Sequence, residues 1–134
     1  MSTSVTPPIS IMFACRQNAG RSQLAAAIAR SLATPGITVR SAGTEPAASL
    51  HPAVLQVLTE RGLTPDHEPR LLAPEDVEAS DWVITMGCGE TCPIYPGKHY
   101  EDWDVPDPAG QPVARVREIA AIIEERVRDL LTRI

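Results

Sequence analysis

The residues of this sequence whose types and spacing point most directly to chemistry lie between Cys15 and Ser22. The segment reads Cys-Arg-Gln-Asn-Ala-Gly-Arg-Ser, so five residues separate Cys15 from Arg21. A cysteine thiolate is a strong nucleophile, and the planar guanidinium of an arginine can bind two oxygens of an anion at once. A cysteine and an arginine at the two ends of a short loop therefore indicate a site where an oxyanion is bound and attacked by sulfur.

The loop also offers backbone donors. Successive N–H groups of a tight loop form a concave nest for an anion, and the positive end of a following helix adds to it. We expect the oxyanion to be bound by Arg16, Gln17, Asn18, Ala19, Gly20 and Arg21. The same field favours the thiolate of Cys15 at neutral pH. Ser22 is placed to hydrogen-bond that thiolate, Asn18 to brace the loop and Gly20 to let the backbone turn tightly.

The sequence on either side of the loop predicts the elements that position it. Residues 9–14 form a short apolar run typical of a buried strand. Residues 22–33 are rich in helix formers, with Leu24, Ile28 and Leu32 on one face. Taken one at a time, the cysteine would be a buried apolar residue, the arginine a surface charge and the asparagine a turn residue. The strand before and the helix after favour the functional interpretation.

The rest of the chain continues the same alternation of strands and helices. Further strands are predicted at 37–42, 81–86 and 98–103, and further helices at 51–61, 74–80 and 113–134. The apolar side of the last helix carries Val116, Ile119, Ile123, Val127 and Leu130. We predict an α/β fold, a single-domain three-layer sandwich whose four-stranded parallel sheet has helices on both faces. The domain spans 9–134 and follows a disordered or mobile tail, 1–8, and its ligand should lie at the carboxyl ends of the strands.

Composition argues against several classes of protein. The chain has 134 residues and a formal net charge of −5, so it has no overall basic field to attract nucleic acid or an anionic membrane. It shows neither a signal-peptide pattern nor an apolar run of the roughly 20 residues that cross a bilayer, so we expect a cytoplasmic protein. Three cysteines, one early and two close together later, favour reduced or catalytic thiols over a disulfide scaffold.

Three segments together resemble a known family. They are the loop 15–22 with Gln23 behind it, Ser-Ala-Gly-Thr at 41–44, and Asp-Pro-Ala at 107–109. The chain resembles the low-molecular-weight protein tyrosine phosphatases and, within that fold, the thioredoxin-coupled arsenate reductases, over nearly all of its length after residue 8. The resemblance implies reduction of arsenate to arsenite in arsenic detoxification, with phosphate as a competitor, thioredoxin as electron donor and no cofactor. We expect a monomer.

The resemblance also implies roles for individual residues. Cys15 is the nucleophile, Arg21 the clamp on the oxyanion and Asp107 the general acid. A carboxyl group on a loop stiffened by proline can protonate a departing oxygen, which fits that role. Asp102 and Asp104 lie close by in the sequence and are competing candidates.

A pair of cysteines distinguishes the reductase from the phosphatase. Cys88 and Cys92 follow the third predicted strand, at the sheet edge expected to carry Cys15. By resemblance, Cys88 attacks Cys15, Cys92 then attacks Cys88, and thioredoxin reduces the resulting disulfide, although the order of the two is open. The alternatives are two incidental cysteines, or half of a zinc site with His67 or His99, for which a second ligand pair is missing. We predict a disulfide relay, in which electrons pass through Cys88 and Cys92 to Cys15, and no metal site.

The surroundings of the acid favour a small inorganic anion. Tyrosine phosphatases of this fold resemble one another in placing aromatic residues just after the acid, where this chain has Ala109 and Gly110. Trp103 and Tyr100 are better explained by core or rim packing, and His51 by the start of a helix. Three other hypotheses stay open. The protein could hydrolyse phosphate monoesters through a phosphocysteine, reduce arsenate with a low-molecular-weight thiol such as mycothiol, or bind oxyanions or sense redox state without turnover.

Overall fold

A computed structural model of the protein describes residues 8–87 and 96–134. Its strands are β1 (Ile9–Cys15), β2 (Ile37–Gly43), β3 (Trp82–Met86) and β4 (His99–Asp102), and its helices are α1 (Arg21–Leu32), α2 (Pro52–Glu60), α3 (Pro74–Glu78) and α4 (Val113–Arg133). Every predicted strand and helix is confirmed, with ends that differ by at most two residues. The predicted tail, 1–8, lies outside the described residues except for Pro8.

The four described strands form one parallel sheet in the order β2-β1-β3-β4. Cys15, the last residue of β1, is in register with Gly43 of β2 on one side and with Met86 of β3 on the other. Three neighbouring strands therefore end at the same level. The segments that follow them meet at one edge of the sheet, where ligands bind in folds of this kind.

One face of the sheet is covered by the three longer helices. Ile11 and Phe13 of β1 belong to the same buried cluster as Leu24 of α1, Leu58 of α2 and Ile123 of α4. Side chains alternate between the two faces of a strand, and these odd-numbered residues of β1 share one face. This layer places the start of α1 directly behind the loop that follows β1.

The other face of the sheet is also buried. Met12 and Ala14 of β1 are fully buried, and Leu72, in the segment that leads to α3, packs against Ala14. A strand with both faces buried reads as a continuous apolar run, which is what residues 9–14 show in the sequence. The predicted α/β fold class is confirmed.

Helix α4 buries one apolar side and exposes the other. The five apolar residues predicted on one side, Val116, Ile119, Ile123, Val127 and Leu130, are all fully buried. The helix has 21 residues, but arginines and glutamates occupy its other side. Within the described ranges, no helix is long and apolar enough to cross a membrane.

Candidate active site

The loop between β1 and α1 is held from outside by the segment that follows β2. Backbone N–H groups of that segment donate to four loop carbonyls: Thr44 to Cys15 (3.2 Å), Glu45 to Arg16 (2.7 Å), Ala47 to Gln17 (3.0 Å) and His51 to Ala19 (3.1 Å). These bonds occupy the carbonyl oxygens of four loop residues and fix the path of the loop backbone. Backbone N–H groups of a tight loop held in this way can form a nest for an anion.

Asn18 braces the loop from within. Its φ of 51° lies in the left-handed region, which asparagine tolerates better than most residues. Its side chain is fully buried, and its Nδ2 donates to the Oγ of Ser22 (2.7 Å) and to the Oγ of Ser41 (3.1 Å). Its Oδ1 accepts a hydrogen bond from the backbone N–H of Arg70 (3.1 Å). The expected bracing is therefore present, mostly through hydroxyl groups rather than backbone groups.

The sulfur of Cys15 lies at the base of the loop with two possible donors beside it. The Oγ of Ser22 is 2.9 Å from the Sγ, and the backbone N–H of Asn18 donates to the Sγ at 3.3 Å. Because Asn18 already donates to the Ser22 oxygen, the Ser22 hydroxyl proton can point at the sulfur.

Arg21 begins α1, and its guanidinium lies beside the acid loop, residues 105–109. Its Nη1 donates to the carbonyl oxygen of Val105 (3.1 Å), and its Nη2 lies 3.7 Å from the Oδ2 of Asp107. Its side chain is only 13% exposed, whereas that of Asp107 is 56% exposed. The guanidinium is thus partly shielded from water beside an accessible carboxylate.

The three candidate acids, Asp102, Asp104 and Asp107, have different surroundings in the structure. Asp107 lines the cavity at the loop, and its Oδ1 accepts a hydrogen bond from the backbone N–H of Ala109 (3.0 Å), which fixes the carboxylate in a turn. Asp102 instead accepts a hydrogen bond from the hydroxyl of Thr85 (2.7 Å) on β3. Asp104 is exposed and, like Asp102, is not among the residues lining the cavity. Of the three, only Asp107 stands where it could protonate a bound anion.

A cavity of about 150 Å³ opens above the loop. It is lined by Cys15, Arg16, Gln17, Gly20, Arg21, His51, Asp107 and Ala109. None of these described lining residues is phenylalanine, tyrosine or tryptophan. Trp103 is instead buried in the core with its ring 5.8 Å from that of Phe13, as expected from the sequence. The cavity suits a small tetrahedral oxyanion.

Two lining residues have roles that the sequence did not reveal. Gly20 has a φ of −140° and a ψ of −94°. A Cβ on Gly20 would lie 2.6 Å from the Cγ of Pro108 and 3.3 Å from the Cδ2 of His51, so glycine is required for space. His51 precedes α2 as expected, but it also lines the cavity. The available signal was its position after β2, since segments that follow neighbouring parallel strands meet at one edge.

A buried polar network around Asp66 supports the loop between β1 and α1. The sequence analysis did not predict it. The hydroxyl of Ser41 donates to the Oδ2 of Asp66 (2.7 Å), whose side chain is only 4% exposed. Arg30 forms an ion pair with Asp66, and the Nε2 of His67 lies 2.8 Å from its Oδ2. Gln23 accepts from the backbone N–H of Asp66 (2.9 Å) and donates to the carbonyl of the loop asparagine (3.1 Å). Asp66 is thus a paired, buried charge that holds the loop through other residues.

The two cysteines predicted to form a relay, Cys88 and Cys92, lie outside the described residues. The zinc alternative for this pair therefore falls outside them too. Within residues 8–87 and 96–134, no group of three or more histidine, cysteine, aspartate or glutamate side chains could hold a metal ion. The functional groups that the structure does bring together are those of Cys15, Arg21, Ser22 and Asp107.

Residues 10–134 match the family described as low molecular weight phosphotyrosine protein phosphatase. This chain belongs to that family. The match begins within β1 and runs to the last residue, so it includes the loop, the acid and all four described helices. The resemblance seen in the sequence is confirmed.

Relatives within the phosphatase family carry two kinds of name. A glutaredoxin arsenate reductase from Synechocystis is 32% identical over 130 residues, covering 92% of this chain and 97% of its own. A protein-arginine-phosphatase from Geobacillus stearothermophilus is 30% identical over 147 residues, covering 93% and 98%. A solved structure of a thioredoxin-dependent arsenate reductase from Corynebacterium glutamicum superposes with a TM-score of 0.83 at 43% identity over 96% of this chain. The present chain spans 62% of that longer chain.

Proposed function

We propose that this protein reduces arsenate to arsenite, with Cys15 as the nucleophile and with electrons delivered through Cys88 and Cys92. The observation that carries the proposal is the cavity at the loop. A thiol, an arginine and a carboxylate converge on a space of about 150 Å³, and none of the described residues lining it is phenylalanine, tyrosine or tryptophan. The names of the Synechocystis and Corynebacterium relatives support the same reaction.

The first step is attack on the bound anion. The loop N–H groups of residues 16–21 and the guanidinium of Arg21 bind arsenate oxygens and stabilise the charge that develops on them. The Cys15 thiolate, stabilised by the Ser22 hydroxyl, attacks arsenic. A sulfur–arsenic bond forms and an arsenic–oxygen bond breaks. The departing oxygen takes a proton from Asp107 and leaves as water.

The second step transfers two electrons. The thiolate of Cys88 attacks the sulfur of Cys15, and the sulfur–arsenic bond breaks with its electron pair on arsenic, which passes from As(V) to As(III) and leaves as arsenite. The Cys15–Cys88 disulfide is then attacked by Cys92. This frees the Cys15 thiolate and leaves a Cys88–Cys92 disulfide for the dithiol of thioredoxin to reduce. The order of Cys88 and Cys92 rests on resemblance.

The test is NADPH consumption with arsenate, thioredoxin and thioredoxin reductase. It is run on the wild type and on Cys15→Ser, Cys88→Ser and Cys92→Ser. We expect turnover in the wild type and its loss in all three variants. A parallel assay replaces thioredoxin with glutaredoxin and glutathione, because one relative carries glutaredoxin in its name.

Each other outcome has a defined meaning. Turnover lost only in Cys15→Ser, and supported by glutaredoxin and glutathione, would replace the intramolecular relay with a low-molecular-weight thiol. Phosphate binding without arsenate turnover would contradict the reduction and leave an oxyanion-binding protein.

A second candidate is hydrolysis of phosphate esters through a phosphocysteine. The same loop, arginine and acid would carry out that reaction, and the Geobacillus relative is named a phosphatase. The parallel measurement is hydrolysis of an aryl phosphate and of phosphoarginine. Efficient hydrolysis that persists in Cys88→Ser and Cys92→Ser, with no arsenate turnover, would establish the phosphatase and overturn the reductase.

A further inference from the structure

The guanidinium of Arg21 lies against the backbone of Gly87. A Cβ built on Gly87 would lie 2.7 Å from Nη1, 2.7 Å from Nη2 and 2.8 Å from Cζ of Arg21. These three nearly equal distances place the added carbon on the face of the guanidinium plane, well inside van der Waals contact. The arginine therefore occupies space that is open only because residue 87 has no side chain.

This contact is part of how Arg21 is held at the cavity. Gly87 follows Met86, which is in register with Cys15, so it lies at the level of the anion loop. The guanidinium also donates a hydrogen bond to the Val105 carbonyl oxygen at 3.1 Å and approaches the Asp107 carboxylate at 3.7 Å. The flat surface offered by Gly87 complements these two edge contacts.

We propose that Gly87 is a positioning residue for oxyanion binding. Because it has no side chain, the guanidinium of Arg21 can pack against its backbone beside the cavity. The inference rests on Arg21 as the clamp in the proposed function. The far end of an arginine side chain is flexible, so an added Cβ would displace it at little expense to folding. The displaced guanidinium would no longer present two N–H groups to the anion. The defect expected from the contact with Arg21 is therefore a loss of anion affinity.

A second glycine provides a matched control. Gly87 has a φ of 82° and Gly97 a φ of 84°, so both have left-handed backbone that disfavours any side chain. A Cβ on Gly97 has nothing within 4 Å. Alanine at either position introduces the same backbone strain, and only alanine at 87 meets Arg21.

The experiment measures protection of Cys15 from iodoacetamide by inorganic phosphate, with alkylation of the Cys15 peptide followed by mass spectrometry. This readout needs no turnover and no second cysteine. Gly87→Ala should raise the phosphate concentration for half protection roughly tenfold to a hundredfold, the range expected for lost hydrogen bonds to a charged group. Gly97→Ala should stay close to the wild type. Thermal unfolding should show similar losses of stability in both variants.

A double-mutant cycle tests whether Gly87 acts through Arg21. In an Arg21→Ala background, Gly87→Ala should cause no further loss of phosphate affinity. If Gly87→Ala does not fold, Gly87→Asn carries the test, because asparagine tolerates the left-handed conformation while still adding a Cβ.

Unchanged protection in Gly87→Ala, or a full additional loss in the Arg21→Ala background, would overturn the inference. Absence of phosphate protection in the wild type would overturn the anion site and the inference together. Intact protection without arsenate turnover would contradict only the proposed reduction.

Discussion

The hydroxyl oxygen of Ser22 lies 2.9 Å from the sulfur of Cys15. The same oxygen accepts a hydrogen bond from the Nδ2 of Asn18 at 2.7 Å, and all three residues are buried. The Asn18 amide thus donates to the Ser22 hydroxyl oxygen, and that hydroxyl can in turn donate to the sulfur. A negatively charged sulfur would accept two hydrogen bonds there, one from the hydroxyl and one from the backbone N–H of Asn18.

Replacing Ser22 by alanine should remove the first of these bonds. We expect turnover to fall roughly tenfold to a hundredfold, because hydrogen bonds to charged groups contribute about 1.5–3 kcal/mol. Alkylation of Cys15 by iodoacetamide at neutral pH should slow as well. Ser31→Ala is the control, since its hydroxyl donates to the carbonyl of Ile28 within the same helix. Equal alkylation rates in Ser22→Ala and the wild type would contradict the role of the hydroxyl.

Asp107→Asn should separate catalysis from binding. An amide cannot protonate the departing oxygen, so turnover should fall by about 10²–10⁴. Phosphate affinity should stay the same or improve, because the Asp107 carboxylate, 3.7 Å from Arg21, no longer opposes a bound anion. Kinetic constants and phosphate protection of Cys15 measure the two effects. Asp104→Asn, outside the cavity lining, should retain activity, and a comparable loss there would show that the acid was assigned wrongly.

Gly20→Ala should move the acid loop. The added Cβ meets the ring of Pro108 at 2.6 Å, and Pro108 follows Asp107 directly. We expect turnover to fall about tenfold or more, since small misplacements of catalytic groups lower rates strongly. Pro108→Ala should restore part of that loss when combined with Gly20→Ala, because the ring that causes the overlap is gone. Additive losses in the double variant would indicate that the contact is not what requires glycine.

Glu101 provides a prediction for stability as a function of pH. The hydrogen bond from Arg133 lowers the pKa of Glu101 below its usual 4.5, burial opposes this shift, and the indole N–H of Trp103 adds to the lowering. A carboxyl whose pKa is lowered by folding stabilises the folded state above its usual pKa. That contribution is lost as the pH falls through the lowered pKa.

Glu101→Gln should therefore lower the free energy of unfolding at neutral pH by about 1 kcal/mol. The difference from the wild type should shrink as the pH drops below the lowered pKa. Urea unfolding over a pH series measures it. Glu118→Gln is the control, because its pair with Arg115 is largely exposed and should contribute little. A difference that persists in acid would indicate lost packing rather than lost charge.

The strands, the helices and the anion loop could all be predicted from short stretches of the sequence. The spacing of apolar residues and the local composition predicted all four described strands and all four described helices. An element that buries one face or both faces needs apolar residues at regular or consecutive positions. The anion loop was equally local. Cys15, Asn18, Arg21 and Ser22 lie within eight consecutive residues, and their chemistry depends on a strand before them and a helix after them.

The contacts that make the loop into a site depend on residues far away in the chain. Arg21 is held by Val105 and Gly87, and the loop is supported by the buried carboxylate of Asp66. Nothing in the spacing of these residues marks them as neighbours, because they come together only where parallel strands end at one edge of the sheet. Even Gly20, which belongs to the motif, is required for the space that Pro108 occupies. Short-range periodicity thus sufficed for the elements and the nucleophilic loop, while strand order and register decided which distant groups surround it.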